Sequence, residues 1–154
     1  MEDRIFKYIA LFFFFLSLIL GTVLVYISIP DRDLNKIEKT ARDFAFYYTN
    51  YDYKKAEDYY DNMIFLTTGQ LQEEFKQENN AKNIKLMKSM EVQSSSKIDD
   101  IIFTKLNSTT AKAVAFVTII TKSKSSDPRE TKTILYMRLK KVNGSWKVYS
   151  LEPY

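Results

Sequence analysis

Residues 110–151 read TAKAVAFVTIITKSKSSDPRETKTILYMRLKKVNGSWKVYSL, and this stretch decides the fold. It is rich in β-branched and aromatic residues, and short groups of turn-forming residues interrupt it, which is the pattern of consecutive strands. We predict strands at Thr110 to Ser123, Glu130 to Val142 and Trp146 to Leu151. Asn143-Gly144 joins the last two, and this dipeptide strongly favours a two-residue hairpin. The stretch therefore predicts an antiparallel sheet.

Two further strand segments precede it, near Glu91 to Ser95 and Ile98 to Leu106. Apolar residues on the strand from Thr110 fall at both odd and even positions, which is typical of a central strand. In the following strand Leu135, Met137 and Leu139 share one face. The sequence thus indicates four or five strands with one face turned to a core.

The residues before the sheet have helical periodicity. Leu34, Ile37, Ala41, Phe44 and Tyr48 recur at three- and four-residue spacing, so they share one face of a helix, and Asp33 is placed to cap it. Asp52 is placed to cap a second, short helix near Tyr53. Thr68 is placed to cap a third helix towards Ser89, with a break expected in the polar KQENNAKN at residues 76–83. The sum is an α+β arrangement.

An apolar segment lies ahead of this domain. Residues 8–29, YIALFFFFLSLILGTVLVYISI, are 22 residues without a charge. A helix of that length is roughly 33 Å long, enough to cross a hydrocarbon core of about 30 Å. A cleaved signal peptide is the alternative, but its apolar region is usually about 7 to 15 residues, and no small-x-small cleavage site follows here. We predict a transmembrane helix at 8–29.

The same reasoning gives the domain organisation. We predict a cytoplasmic tail at 1–7, the transmembrane helix at 8–29, a linker at 30–33 and an extracytoplasmic domain at 34–154. The orientation rests on Arg4 and Lys7 before the helix, and on the tendency of long downstream domains to be translocated. The expected location is the cell membrane, with one pass.

Composition excludes several kinds of site. The chain has no cysteine and no histidine. It therefore has no disulfide, no thiolate nucleophile or thiolate metal ligand, and it lacks the commonest general base. We expect no catalytic residue, no metal and no cofactor. Residues 96–154 carry 11 basic and 5 acidic side chains, but these are spread along strands, so no nucleic-acid partner is expected.

Two groups of residues are candidates for interaction. The first is in the tyrosine-rich YYTNYDYKKAEDYY at residues 47–60, read either as a ligand-binding or acid–base cluster beside Asp52 and Asp58, or as rings covering a seam between helices. The second is an exposed, basic tip between two long strands, residues 122–132. The candidate contact residues are Tyr51, Tyr53, Tyr59, Tyr60, Lys122, Lys124, Arg129 and Lys132.

Short motifs carry a family resemblance. They are Thr49 to Tyr53 as T-x-Y-D-Y, the T-T-G turn at 67–69 followed by Phe75, and G-S-W-K-V at 144–148. With this order of elements, the chain resembles the membrane-tethered members of the nuclear-transport-factor-2-like superfamily. Two groups are similar: the eighth VirB subunit of type IV secretion and conjugation systems, and the mammalian-cell-entry (Mce) associated membrane proteins. The resemblance implies a cone of two or three helices packed on a curved antiparallel sheet.

The resemblance also implies a function. The first expectation is a non-enzymatic bacterial scaffold whose extracytoplasmic domain self-associates and contacts other subunits of an envelope-spanning secretion or conjugation machine. The alternative is an Mce-associated accessory protein that binds lipid or lipid-transporter subunits in an apolar cavity. A cavity enzyme of the isomerase or dehydratase type, with a buried Asp and tyrosine donors, is the third possibility.

Overall fold

The computed structural model describes residues 13–20, 32–79, 81–124 and 126–153 of the chain. The chain divides into two compact units, Met1–Arg32 and Asp33–Tyr154. In the first unit, residues 13–20 are helical and exposed. The rest of the predicted transmembrane helix, the tail at 1–7 and residues 30 and 31 of the linker lie outside the described residues. Among the residues that are described, no helix combines the length and the apolarity needed to cross a membrane.

The second unit is an α+β domain, as the sequence predicts, but its described residues form four α-helices where two or three were expected. Its helices are α1 (Arg32–Thr49), α2 (Ala56–Leu66), α3 (Gln70–Glu78) and α4 (Ala81–Met90), and a 3-10 turn at Tyr53–Lys55 precedes α2. Its strands are β1 (Tyr51–Asp52), β2 (Gln93–Lys105), β3 (Thr110–Ser123), β4 (Ser126–Val142) and β5 (Ser145–Pro153). The break expected between residues 76 and 83 is confirmed, since α3 ends at Glu78 and α4 begins at Ala81.

The five strands form one antiparallel sheet in the order β1-β2-β3-β4-β5. The predicted central position of β3 is confirmed, because it pairs with β2 on one side and β4 on the other. The two segments predicted at 91–95 and 98–106 are one strand, β2, with a register shift between Ile98 and Asp100. Each strand pairs with the one that precedes it, so the sheet is a simple meander.

The core lies between the helices and one face of the sheet. Ile37, Ala41 and Phe44 of α1 are fully buried, as their spacing predicts. They share one cluster with alternating residues of β3 and β4, namely Ala111, Ala113, Ala115, Val117, Leu135, Met137 and Leu139. The alanines are small, which leaves room over β3 for the large side chains of α1 and β4.

Turn chemistry explains how the elements are joined. The Asn143-Gly144 hairpin is confirmed: both residues have positive φ, 49° and 80°, and Val142 pairs with Ser145. Such angles are required by the tight turn that suits the twist of two strands. The Asp52 cap is also confirmed, since its carboxylate accepts a hydrogen bond from the Lys54 amide at 3.0 Å.

Two predicted caps are wrong. The residue before α3 is Gly69, with φ of 67°, whereas Thr68 binds β5 through its amide, which donates to the Val148 carbonyl at 2.9 Å. Asp33 lies inside the first turn of α1. Its side chain binds residues that are distant in sequence. A cap prediction considers only neighbouring residues, so it cannot reveal them.

These partners form the Asp33 cluster, defined as Asp33, Lys105, Lys141 and Trp146. Lys141 Nζ lies 2.9 and 3.0 Å from the two carboxylate oxygens, and Lys105 Nζ lies 3.3 Å from one of them. The Trp146 indole nitrogen donates to Asp33 Oδ1 at 3.5 Å. The cluster holds the first turn of α1 against the end of β2 and against the β4–β5 hairpin.

Candidate functional site

A groove of about 420 Å³ lies between the end of α1, strand β1 and helix α2, at some of the predicted interaction residues. We call it the tyrosine groove. Tyr51 and Tyr59 are the predicted candidates that line it. The full lining is Phe46, Tyr47, Asn50, Tyr51, Asp52, Lys55, Asp58, Tyr59, Asn62 and Ser94.

Hydrogen bonds fix the wall that α1 contributes. The Ser94 hydroxyl donates to the Thr49 carbonyl at 2.6 Å, and Thr49 Oγ1 lies 2.7 Å from Ser96 Oγ. Asn50 accepts from the Ser96 amide at 2.8 Å through its side-chain oxygen. These bonds replace the backbone partners that the last turn of a helix lacks, so α1 ends at a defined point on β2.

The tyrosines divide between the groove and the core. Tyr59 joins the two, because its ring lies 5.7 Å from that of Tyr51 and 5.2 Å from that of Tyr60. Tyr60 is buried, and its hydroxyl donates to the Met87 sulfur at 3.5 Å. Tyr53 lies outside the groove, where Lys54 Nζ is 5.7 Å from its ring centre. Of the four predicted tyrosines, the structure therefore brings Tyr51, Tyr59 and Tyr60 together.

The titration of these groups favours binding over proton transfer. Burial raises the pKa of Tyr59 far above its ordinary value, and burial likewise raises the pKa of Tyr51 and Tyr60. These phenols stay protonated at neutral pH and can donate hydrogen bonds. Hydrogen bonds from the Lys54 amide and from the Gln93 side chain lower the pKa of Asp52, which is therefore an ionised acceptor that is already engaged.

The chemistry of the tyrosine groove is suited to binding a partner. Aromatic side chains offer a large apolar area and have few rotatable bonds to be fixed on binding. Asn50, Lys55 and Asp58 add polar groups to the groove. An acid–base reaction needs a group whose pKa lies near the working pH, and the shifts of Tyr59 and Asp52 lead away from that condition. In the part of the chain that the structure describes, no group of three acidic side chains is placed to hold a metal ion.

The basic tip takes a different form from the predicted loop. β3 ends at Ser123 and β4 begins at Ser126, so the ladder continues almost to the turn. Lys122, Lys124, Arg129 and Lys132 are all exposed. Lys124 pairs with Glu91 at 3.0 Å, and Lys122 faces Gln93 across the strands. Because Gln93 also binds Asp52, this end of the sheet adjoins the polar side of the tyrosine groove.

Some lining residues were not singled out from the sequence. Phe46 is 46% exposed, and it lies off the apolar face of α1 that the spacing identifies. An aromatic residue on the wet side of an amphipathic helix was the available signal. Nothing in the sequence marked Asn62 and Ser94 as lining residues, since polar residues on a helix and a strand are ordinary surface residues.

Comparison with known proteins gives a consistent result for the fold. No family model and no curated protein matches the chain. Among solved structures, an IcmL-like type IV secretion system protein of Legionella pneumophila matches at a TM-score of 0.61 and 13% identity, over 81% of this chain and 93% of that one. A TrwG component of the type IV secretion system of Bartonella birtlesii gives 0.60 and 14%, over 76% and 88%.

The VirB8 protein of Agrobacterium tumefaciens also matches, at a TM-score of 0.57 and 12% identity, over 78% of this chain and 90% of that one. The domain has the VirB8-like fold. At these identities the likeness is one of fold, and it extends over nearly the full length of each solved domain. On this fold, the tyrosine groove and the basic tip carry most of the predicted interaction residues.

Proposed function

We propose that this chain is a non-enzymatic, membrane-anchored scaffold subunit of a bacterial type IV secretion or conjugation machine. Its predicted anchor at residues 8–29 holds it in the membrane with the N-terminus in the cytoplasm. Its VirB8-like, nuclear-transport-factor-2-like domain lies on the extracytoplasmic side, where it self-associates and contacts other subunits. The observation that carries the proposal is the likeness to type IV secretion proteins over 81%, 76% and 78% of the chain.

The chemistry of the two surfaces supports a role in assembly. The tyrosine groove presents exposed rings beside fixed polar groups, and aromatic residues surrounded by polar ones are typical of protein interfaces. The basic tip adds exposed lysine and arginine side chains next to it. Charges at the rim of an interface act mainly on the rate of association and on the choice of partner.

Cross-linking of the full-length protein in its native membranes, followed by affinity purification and mass spectrometry, tests the proposal. We expect to recover a secretion ATPase, a coupling protein or a channel subunit. Recovery of lipid-transporter subunits, or of the protein alone with bound lipid, would contradict it and favour the Mce-associated alternative.

The topology is tested separately. An added protease should digest the domain in cells whose outer surface is accessible while the cytoplasm stays closed. Digestion that begins only after the membrane is opened to the cytoplasmic side would place the domain inside and refute the proposed orientation.

A further inference from the structure

Positive charge is concentrated at the end of the domain where α1 begins. We call this surface the basic end and define it as residues 32–39, 105–109 and 140–147. It holds seven basic and two acidic side chains, a net charge of +5, whereas the whole chain carries +4. The basic residues are Arg32, Lys36, Lys39, Lys105, Lys140, Lys141 and Lys147.

The fold brings these three segments together. The Asp33 cluster joins the first turn of α1 to Lys105 at the end of β2 and to Lys141 and Trp146 of the β4–β5 hairpin. The Lys141 amide donates to the Thr109 carbonyl at 2.8 Å, which ties the β2–β3 turn to the same place. Both turns therefore lie level with the start of α1.

The basic end also exposes apolar side chains. Leu34 is 38% exposed and Leu106, at the β2–β3 turn, is 53% exposed. A shallow pocket of about 280 Å³ lies between α1 and the hairpin, and its lining includes Lys36, Lys147 and the ion pair of Lys39 with Asp43. Phe65 at its rim is 70% exposed, and Lys147 Nζ lies 3.9 Å from the centre of the Phe65 ring while donating to the Phe65 carbonyl. Lysine beside exposed apolar groups is the composition of a surface that contacts lipid headgroups.

The length of the intervening chain places the basic end close to the predicted span. Arg32 is three residues after Ile29, so the two are at most about 10 Å apart. Lys36 is one helical turn further, or about 6 Å along α1. The headgroup layer adds several ångströms to each side of the hydrocarbon core, and charges act over a screening length of about 8 Å in physiological salt. Arg32 and Lys36 are thus within electrostatic range of the headgroups.

We propose that the basic end rests on the anionic phospholipid headgroups of the bilayer that anchors the chain. This inference depends on the anchor in the proposed function. The opposite end of the sheet lacks the same excess: the four basic residues of the tip share it with Glu91, Asp127 and Glu130. The asymmetry favours one orientation of the domain, with the tip and the tyrosine groove directed away from the membrane.

The absence of cysteine from the natural chain makes a direct test possible. Full-length Ser108→Cys and Ser126→Cys carry a single thiol each, at the β2–β3 turn and at the β3–β4 turn, and both positions are exposed. Each is labelled with a fluorophore and reconstituted into vesicles containing a nitroxide-headgroup lipid. One set contains about 30% phosphatidylglycerol and the other only phosphatidylcholine, because anionic lipid attracts basic surfaces and neutral lipid does not. We expect quenching at position 108 in the anionic vesicles, less in the neutral ones, and little at position 126 in either.

Charge reversal provides the matched comparison. Each basic residue near an anionic surface raises the equilibrium constant for binding to that surface by about fivefold. Arg32→Glu with Lys36→Glu, added to Ser108→Cys, removes two basic side chains and adds two acidic ones. It should lower the ratio of docked to undocked domain by more than tenfold, because the loss of two basic side chains alone gives about 25-fold. Lys122→Glu with Lys124→Glu, an equal change of charge at the tip, should leave the quenching at position 108 unchanged.

The outcomes separate the inference from the proposed function. Equal quenching at both turns would overturn the inference, and so would quenching at position 108 that is the same in anionic and neutral vesicles. The proposed function would stand in either case, provided that the protein stays in the bilayer after alkaline extraction. If alkaline extraction releases the protein from the vesicles, the chain has no membrane anchor, and both the inference and the proposed function are refuted.

Discussion

At the scale of single residues, the carboxylate of Asp33 connects three separate parts of the domain. Its main partner is Lys141, and Lys105 and Trp146 also bind it. The hydrogen bond from Lys141 is the largest cause that lowers the pKa of Asp33 to about 2, against the partial burial that raises it. A carboxylate with a depressed pKa stabilises the folded state above its ordinary pKa and stops doing so as pH falls through its folded value.

The first prediction concerns this group. Asp33→Asn should lower the midpoint of thermal unfolding at pH 7, because Lys141 and Lys105 would keep their positive charges beside a neutral amide. The difference from the natural protein should shrink as pH falls from about 4 to about 2, the window between the unfolded and folded pKa values. Thermal unfolding of both proteins followed by circular dichroism measures it.

Asp43→Asn is the matched control on the same helix. Asp43 pairs with Lys39 one turn away, on the exposed side of α1, where ion pairs contribute little. A midpoint as low for this variant as for Asp33→Asn would show that the Asp33 cluster has no special role.

Phe44 and Phe46 allow a second prediction that separates folding from binding. Phe44 is fully buried, so Phe44→Ala should reduce the free energy of unfolding by about 3–5 kcal/mol. Phe46 is 46% exposed in the groove, so Phe46→Ala should change it by no more than about 0.5 kcal/mol. Phe46→Ala should nevertheless reduce the recovery of cross-linked partners from native membranes. Unchanged recovery would remove the tyrosine groove from the list of contact surfaces.

Residue-level predictions from the sequence succeeded where partners are close in the chain. The spacing of Ile37, Ala41 and Phe44 identified the buried face of α1, and Asp52 was recognised as a cap for residues just after it. Asp33 was predicted as a cap because it directly precedes the helical periodicity that begins at Leu34, whereas its partners Lys105 and Lys141 are 72 and 108 residues away. Such pairs form only when the chain folds, so local sequence patterns do not predict them.

At the scale of elements, the β4–β5 hairpin shows how a short signal fixes a register. Asn143 and Gly144 occupy the two positions with positive φ, so Val142 faces Ser145 and the ladder continues to Lys140 and Lys147. This register buries Trp146 and Val148 and places Trp146 within reach of Asp33. A shift by one residue would turn these side chains to the opposite face.

The third prediction tests the hairpin. Gly144 has φ of 80°, and a residue with a Cβ atom loses about 1–2 kcal/mol in this region, so Gly144→Ala should lower the free energy of unfolding by about that amount. Asn143→Gly is the control, because glycine accepts the φ of 49° found there. Urea unfolding of the three proteins gives the comparison, and equal midpoints for Gly144→Ala and the natural protein would contradict it.

Other elements were harder to predict. β2 has a register shift between Ile98 and Asp100. The sequence was read as two strands because turn-forming residues separate the two segments at 96–97. β1 has only two residues, Tyr51 and Asp52, and pairs with Ser94 and Gln93. A strand that short has no periodicity, so only its partner defines it.

At the scale of the whole molecule, the domain has two different ends. The basic end contains the start of α1 and both hairpin turns next to it. The tyrosine groove begins at Phe46, which is 14 residues along α1 from Arg32, or roughly 21 Å at the rise of an α-helix. The basic tip lies at the far end of β3, next to the start of β2. The surfaces proposed for protein partners and the surface proposed for lipid are thus separated along the domain.

The fourth prediction belongs to this scale. Changing Lys122, Lys124 and Arg129 together to glutamate should weaken assembly in native membranes if the tip is an interface, because reversed rim charges slow association. The readout is the amount of each partner recovered after cross-linking. Arg32→Glu with Lys36→Glu and Lys39→Glu, three exposed residues, serves as the charge-matched comparison, and unchanged complex formation in the tip variant would exclude the tip as a contact surface.

The Asp33 cluster also has a mechanical consequence. A force that pulls on the N-terminal side of the domain enters at Arg32, one residue before the carboxylate that binds β2 and the β4–β5 hairpin. Because Lys105, Lys141 and Trp146 all bind this one carboxylate, part of the load passes from the first turn of α1 directly to the sheet. The later turns of α1 therefore carry less of the tension.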